Sequence, residues 1–275
     1  MSEKTLVELV AEARGESPGR GRLVGKRILV IGGGQTSYGE KDEPHGNGRA
    51  MSILFGREGA SVVVADRNLQ SAEETVRFVS EEGATAYAIA GDASNESDVK
   101  NIIQRSCDIL GGLDGLVLNV GIEQGRLFEN TSVEQWDTVF AVNVRSQFLA
   151  IKYGLPVMEP GSSIVLISST GAFSTSVQAP AYSASKSALA GICNNAAREG
   201  SAKHIRCNIV APGKLDTPMG RNGGKNRASR ESIPTPLGRD GTAWDTAYMV
   251  NFLLSNESTY ITGQTMIVDG GRMLS

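Results

Sequence analysis

Arg27-Ile28-Leu29-Val30-Ile31 runs straight into Gly32-Gly33-Gly34, then QTSYGEKDEPH (35–45), then Gly46-Asn47-Gly48-Arg49-Ala50. The short apolar run ending in glycine reads as a buried strand. Apolar residues at Ala50, Ile53, Leu54 and Ala60 recur at helical spacing, so a helix follows the second glycine cluster. Glycine between a strand and a helix lets backbone turn tightly and lie against a pyrophosphate. The free N–H groups of the helix N-terminus then face the anion. Ser61–Ala65 (SVVVA) is a second strand, closed by Asp66, which lies 20 residues after Gly46. That is the place for a carboxylate that accepts from a ribose 2′-hydroxyl.

Working outward, the period keeps switching between strand and helix. The readings are a polar helix over 70–82, a strand over 86–90, a helix over 96–110 and a strand over 113–118. A long helix over 133–157 follows, then a strand over 163–168, a long helix over 181–201 and a strand over 206–210. A helix over 242–254 and a last strand over 265–268 close the chain. This alternation predicts an α/β fold: one doubly wound parallel sheet of about seven strands with helices on both faces. No composition shift divides it, so residues 26–275 form one domain. Residues 1–25 form an N-terminal arm, either frayed or packed on a neighbouring subunit.

Composition narrows the function. The 275 residues include 33 Gly but only 9 Pro and no G-X-Y period, against collagen-like or low-complexity chains. A net charge of −3 carries no basic footprint for nucleic acid. No run of ~18 apolar residues marks a membrane span. Cys107, Cys193 and Cys207 form no CxxC pair, which points to a reducing, cytoplasmic setting. His204 has no partner at ligand spacing, so no metal site is expected.

With Ser169, Tyr182-Ser183-Ala184-Ser185-Lys186, Asn143 and the glycine loop in this order, the chain resembles the short-chain dehydrogenase/reductase family from Lys26 to Gly271. It departs from the family's TGxxxGxG loop twice. Ile31 replaces the threonine, and Gly32 and Gly46 stand 14 apart instead of 4, an insertion of about ten residues. The resemblance implies that Gly32, Gly34, Gly46, Asn47 and Gly48 cradle the phosphates. Asp66 would hold the ribose diol of NAD and repel a 2′-phosphate, a repulsion that the neighbouring Arg67 softens. Asp92 and Ala93 would border the adenine, and Asn119 and Gly121 the cofactor. Pro212, Gly213, Leu215 and Thr217 would fix the nicotinamide carboxamide.

For catalysis it implies Asn143, Ser169, Tyr182 and Lys186. An asparagine inside a helix is unfavourable by propensity, which suits a role for Asn143 in a water relay. Tyr182 and Lys186, four apart on a helix, share one face. A free tyrosine has a pKa near ~10, and a nearby ammonium favours the phenolate. Tyr182 is then the acid/base, Ser169 binds the reacting oxygen, and Lys186 also holds the nicotinamide ribose.

The expected activity is hydride transfer between NAD(H) and a secondary alcohol or ketone, with NADP the less expected cofactor. Two alternatives stay open: an NADPH-dependent 3-oxoacyl thioester reductase, and a non-catalytic protein that binds a nicotinamide cofactor. Residues 214–233 are expected to form a substrate lid. Its Arg221, Lys225, Arg227 and Arg230 either bind an anionic substrate or are merely solvated. Glu123, Gln124, Phe173 and Gln178 are further pocket candidates. Glu40, Asp42 and Glu43 in the insertion would add a negative field against NADP, unless the insertion is a solvated loop. The family's pairing of its two long helices implies a homotetramer or homodimer, with Ala181, Ala184, Ala188 and Ala190 permitting close contact.

Overall fold

The computed structural model describes residues 8–174, 178–224 and 235–274. Its centre is a seven-stranded parallel sheet. The strands are β1 (Arg27–Ile31), β2 (Ser61–Asp66), β3 (Ala86–Ala90), β4 (Gly115–Leu118), β5 (Ser163–Ile167), β6 (Arg206–Pro212) and, last in the chain, Thr265–Val268. Their spatial order is β3-β2-β1-β4-β5-β6 and then that last strand. The chain therefore moves outward from β1 to β3 and resumes on the other side of β1 with β4. Ile31 pairs with Ala65 on one side and with Leu118 on the other. A crevice opens beyond the carboxyl ends of β1 and β4, where a doubly wound sheet binds its ligand.

The central strands β1, β2, β4 and β5 are apolar on both faces because helices cover both. Leu29, Ile31, Val63 and Ala65 pack with Val99, Ile102 and Ile103 of α4 (Glu96–Leu110) and Leu189 of α7 (Pro180–Gly200). Ile28, Val30, Val62 and Val64 pack on the opposite face. Their partners are Leu54 of α2 (Asn47–Arg57), Val79 of α3 (Leu69–Glu81) and Val250 of α9 (Ala243–Leu254). The period-2 geometry of a strand thus divides one continuous apolar run between two cores.

The structure refines several sequence readings. The helix expected over 133–157 is α5 (Val133–Phe140), a π-helical turn (Ala141–Arg145) and α6 (Ser146–Gly154). Beyond β6, a two-residue strand β7 (Leu215–Asp216) pairs with β8 (Gly241–Thr242), and between them lies α8 (Pro218–Gly224). The sequence reading had none of these three. With β7 and β8 counted, Thr265–Val268 is β9.

The described part of the N-terminal arm is not frayed; it lies along its own chain. Ala13 in the short α1 (Ala11–Arg14) and Leu23 are buried. Arg57 donates to the carbonyls of Gly15 (2.7 Å) and Ser17 (3.1 Å). The carboxylate of Glu58 accepts from the N–H groups of Arg20 and Arg22. These buried contacts are all made within the chain.

Candidate active site

One cavity of about 350 Å3 opens at the crevice beside β1 and β4. It is lined by Gly32, Gly34, Gly46, Asn47 and Gly48 of the glycine loop, and by Asp66, Arg67, Asp92 and Ala93 beyond β2 and β3. Asn119 and Gly121 follow β4. Ser169, Tyr182 and Lys186 line the other half, with Pro212, Gly213, Leu215 and Thr217 beside them. Residues 32 to 217 converge here because every parallel strand delivers its carboxyl end to the same edge.

Close backbone packing shapes the loop. A Cβ on Gly48 would fall 2.1 Å from the carbonyl oxygen of Gly32, so only glycine lets α2 begin against the β1 turn. Asn119 locks that turn: its side-chain amide donates to the Gly32 carbonyl at 2.7 Å. No side chain caps α2, leaving its first N–H groups directed at the cavity end of the loop. Asp66 accepts from the N–H of Gly34 (3.1 Å) with one oxygen and from that of Asn68 (3.0 Å) with the other. Its carboxylate is thereby fixed at the loop. Asp92 likewise accepts from both the N–H and the hydroxyl of Ser94.

Ser169 caps a short 3-10 turn after β5, its hydroxyl accepting from the N–H of Gly171. Pro180 starts α7, so Tyr182 and Lys186 fall in its first two turns. Lys186 is 4% exposed, and its ammonium donates to the Ile167 carbonyl at 2.9 Å. Burial alone pulls its pKa down to about 8. The same ammonium stands 5.8 Å from the centre of the Tyr182 ring. A Cβ on Gly121 would lie 3.0 Å from it, so glycine there makes room for the lysine.

Asn143 does not line the cavity; it sits fully buried in the π-helical turn. Its oxygen accepts from the Ile122 N–H (2.8 Å), and its amide donates to the Ile122 carbonyl (2.9 Å) and the Ser185 hydroxyl (2.9 Å). Ser185 in turn donates to the carbonyl of Tyr182. Asn143 thus ties the loop after β4 to the turn of α7 that carries Tyr182. The π turn is the local widening that lets a helix aim a side chain this way.

The insertion is not a free loop. At its base the Gln35 side chain accepts from the Gly46 N–H at 2.7 Å, and Ser71 bonds both the N–H and the carbonyl of Gln35. His45 makes edge contacts with Phe78 and Trp244, and burial lowers its pKa. Glu43 accepts from the Tyr38 N–H at 2.6 Å, a bond that holds its own pKa down. Glu40 reaches Arg221 of α8 at 3.5 Å. Two of the three insertion acids are therefore held in place, Glu43 by the insertion's own backbone and Glu40 by Arg221.

Of the lid cations, Arg221 is neither free for an anion nor merely solvated. Arg221 is bonded by both oxygens of Asp216, at 2.5 and 2.8 Å, and these bonds raise its pKa further. A guanidinium already held by two carboxylates is poorly suited to anchoring a substrate anion. Lys225, Arg227 and Arg230 lie outside the described residues, so only 214–224 of the expected 214–233 lid is described. Glu123 lines the cavity and pairs with Arg126; Gln124, Phe173 and Gln178 do not line it. Gln35, Thr36, Tyr38, Thr170 and Arg272 line it without having been expected, beside Met219 of the expected lid. Only the first three carried a signal, their place within the glycine loop.

The family model described as enoyl-(acyl carrier protein) reductase matches residues 43–272. The uncharacterized oxidoreductase YhxD of Bacillus subtilis is 34% identical over 261 residues, 92% of this chain and 84% of that protein. Glucose 1-dehydrogenase of Gluconobacter oxydans is 34% identical, over 94% of this chain and 96% of its own. A short-chain dehydrogenase from Burkholderia cenocepacia, solved in complex with NADP, superposes with a TM-score of 0.82 at 30% identity. That match covers 92% of this chain and 99% of the solved one.

Proposed function

We propose that this chain, which belongs to the short-chain dehydrogenase/reductase family and is an oxidoreductase, transfers hydride between NAD(H) and a secondary alcohol or ketone. The observation that carries this reading is the shared cavity. The glycine loop and Asp66 line one part of it, and Ser169, Tyr182 and Lys186 another. A dinucleotide fits the first part, where the Gly32–Gly48 contact leaves no side chain in the cradle.

When bound, the dinucleotide supplies a nicotinamide ring that accepts or donates the hydride. The phenol oxygen of Tyr182 takes the alcohol proton, or returns it to the ketone oxygen in the reverse direction. The hydroxyl of Ser169 donates to that oxygen and stabilises its developing charge. The Lys186 ammonium favours the phenolate of Tyr182 through space. Asn143 acts from behind, holding Ile122 and, through Ser185, the Tyr182 turn. Any water relay through Asn143 is outside its two amide hydrogens, which are both committed. Leu215 and Thr217 orient the nicotinamide end. The Asp66 carboxylate favours the unphosphorylated ribose diol of NAD.

An NADPH-linked 3-oxoacyl thioester reductase is the second reading. It is favoured by Arg67 beside Asp66 at the cavity and by the acyl-carrier description of the matching family model. Residues 26–275 act as one catalytic domain in the cytoplasm. Helices α5–α6 and α7 pair between subunits of a tetramer or dimer, with Phe148 exposed on that side. Ala181 is buried within its own chain and leaves the contact to Ala184, Ala188 and Ala190.

A screen of secondary alcohols and ketones with NAD and NADP, read by absorbance of the reduced nicotinamide, tests the activity. Tyr182→Phe is expected to lower turnover by roughly 10²–10⁴-fold while dinucleotide binding persists. Undiminished turnover in that variant would overturn the assignment and return the non-catalytic binder to consideration.

A further inference from the structure

The insertion and α8 wall the same cavity, the first through Gln35, Thr36 and Tyr38, the second through Met219, Gly220 and Gly223. They are 181 residues apart where Glu40 meets Arg221. The base of the insertion is fixed by the Gln35–Gly46 and Gln35–Ser71 bonds. Its tip is held differently. The two bonds to Asp216 orient the Arg221 guanidinium, and its remaining Nη1 then faces the Glu40 carboxylate (3.5 Å) and the Asp42 carbonyl (3.4 Å). Asp42 adopts a left-handed conformation, φ 62°, at the point where its carbonyl meets the arginine. The Arg221 N–H also donates to the Thr217 carbonyl at 2.8 Å. Arg221 therefore joins the insertion tip, through its side chain, to Asp216 and, through its backbone, to the turn that carries Thr217.

We propose that Arg221 is a positioning residue that straps the 35–45 insertion to α8 beside the dinucleotide cavity, and that this strap sets the rate at which cofactor leaves. The proposal rests on the reading that the cavity takes a nicotinamide dinucleotide. With the strap closed, insertion and α8 wall the cavity together. Departure of a dinucleotide from beneath Tyr38 and Met219 then requires the tip contacts to part first. The contacts are partly exposed, at 35% for Arg221 and 25% for Glu40, so they break readily and are screened by salt.

The test is stopped-flow release of the reduced dinucleotide that wild type binds, NADH or NADPH, displaced by excess oxidised form and followed by nicotinamide fluorescence. Arg221→Ala is expected to release it roughly threefold to tenfold faster, the size suited to two partly exposed charged contacts. Glu40→Gln is expected to release it about twofold faster, and Arg221→Lys to fall between wild type and Arg221→Ala, because one ammonium cannot hold both Asp216 oxygens and face Glu40 as the guanidinium fork does. Raising salt should speed release in wild type and leave Arg221→Ala unchanged, with the same unfolding midpoint for both cofactor-free proteins. If Arg221→Ala fails to fold, Glu40→Gln and the wild-type salt dependence carry the test. Equal release rates in wild type, Arg221→Ala and Glu40→Gln would overturn the strap alone. Failure of wild type to bind either reduced dinucleotide would overturn the dinucleotide reading and the strap with it.

Discussion

The two sides of the cavity are built on opposite principles. Around Lys186 and Asn143 the groups are almost fully buried, and each is held by short bonds to backbone or to another buried side chain. Around Glu40 and Arg221 the groups are a quarter or more exposed and are held by charge. Buried hydrogen bonds are costly to break because the freed groups cannot turn to water. Exposed ion pairs exchange readily with solvent and are worth little individually. The first arrangement suits the proposed reacting groups, which must not move. The second suits a wall that must let a large ligand pass.

That contrast can be broken at the buried side first. Lys186 carries a pKa of about 8 in the folded protein against the usual 10.5. Below about pH 8 it is protonated in both folded and unfolded chains, and burial of the charge opposes folding in full. Between about pH 8 and 10.5 the folded protein releases that proton first, so this opposition fades and stability rises with pH. The contribution is at most about 3 kcal/mol. Denaturant unfolding of wild type and Lys186→Met across this window should diverge by that rise. Parallel curves would mean the ammonium is better solvated than its burial implies.

Asn143→Ala is the next largest. It leaves both backbone groups of Ile122 and the Ser185 hydroxyl short of a partner, and should destabilise by about 2–3 kcal/mol in urea unfolding. Turnover should fall more than the Michaelis constant for cofactor changes, because the residue positions Tyr182 and does not line the cavity. A purely structural role would lower stability with turnover per folded molecule intact.

Asp66→Ser probes the polar mouth. Removing the carboxylate should shift the ratio of kcat/KM for NAD over NADP by about tenfold toward NADP, the loss of one partly screened charge repulsion. An unchanged ratio would place cofactor choice in Arg67 or the insertion and make the two sides of the cavity less distinct than drawn here.

The sequence was informative where chemistry is local. The β1–glycine–α2 stretch announced itself by period and composition, and Gly48 sits where only a hydrogen fits. Tyr182 and Lys186 were legible because helical spacing alone puts them on one face. Asn143 was flagged by its poor fit to a helix, yet the π turn and its grip on Ile122 were not legible. A π turn arises from one extra residue in the ladder, which side-chain periodicity does not register. The arm's packing on its own chain was not legible, neither as a frayed end nor as a contact with a neighbouring subunit, because its burial depends on Arg57, Glu58 and Trp244, none of them near it in sequence.

The insertion marks the limit most clearly. Its existence followed from counting 14 positions between Gly32 and Gly46, and its acids suggested a field at the adenosine end. Where those acids point depends on Arg221, across 181 residues of chain, and on Asp216, which orients that arginine. By itself the sequence determined the alternating fold, the glycine-rich turn after β1 and the shared helix face of Tyr182 and Lys186, since periodicity and spacing act over a few residues. Only the tertiary structure decided which charges meet which. That pairing is set by how separate strands deliver their loops to one edge of the sheet.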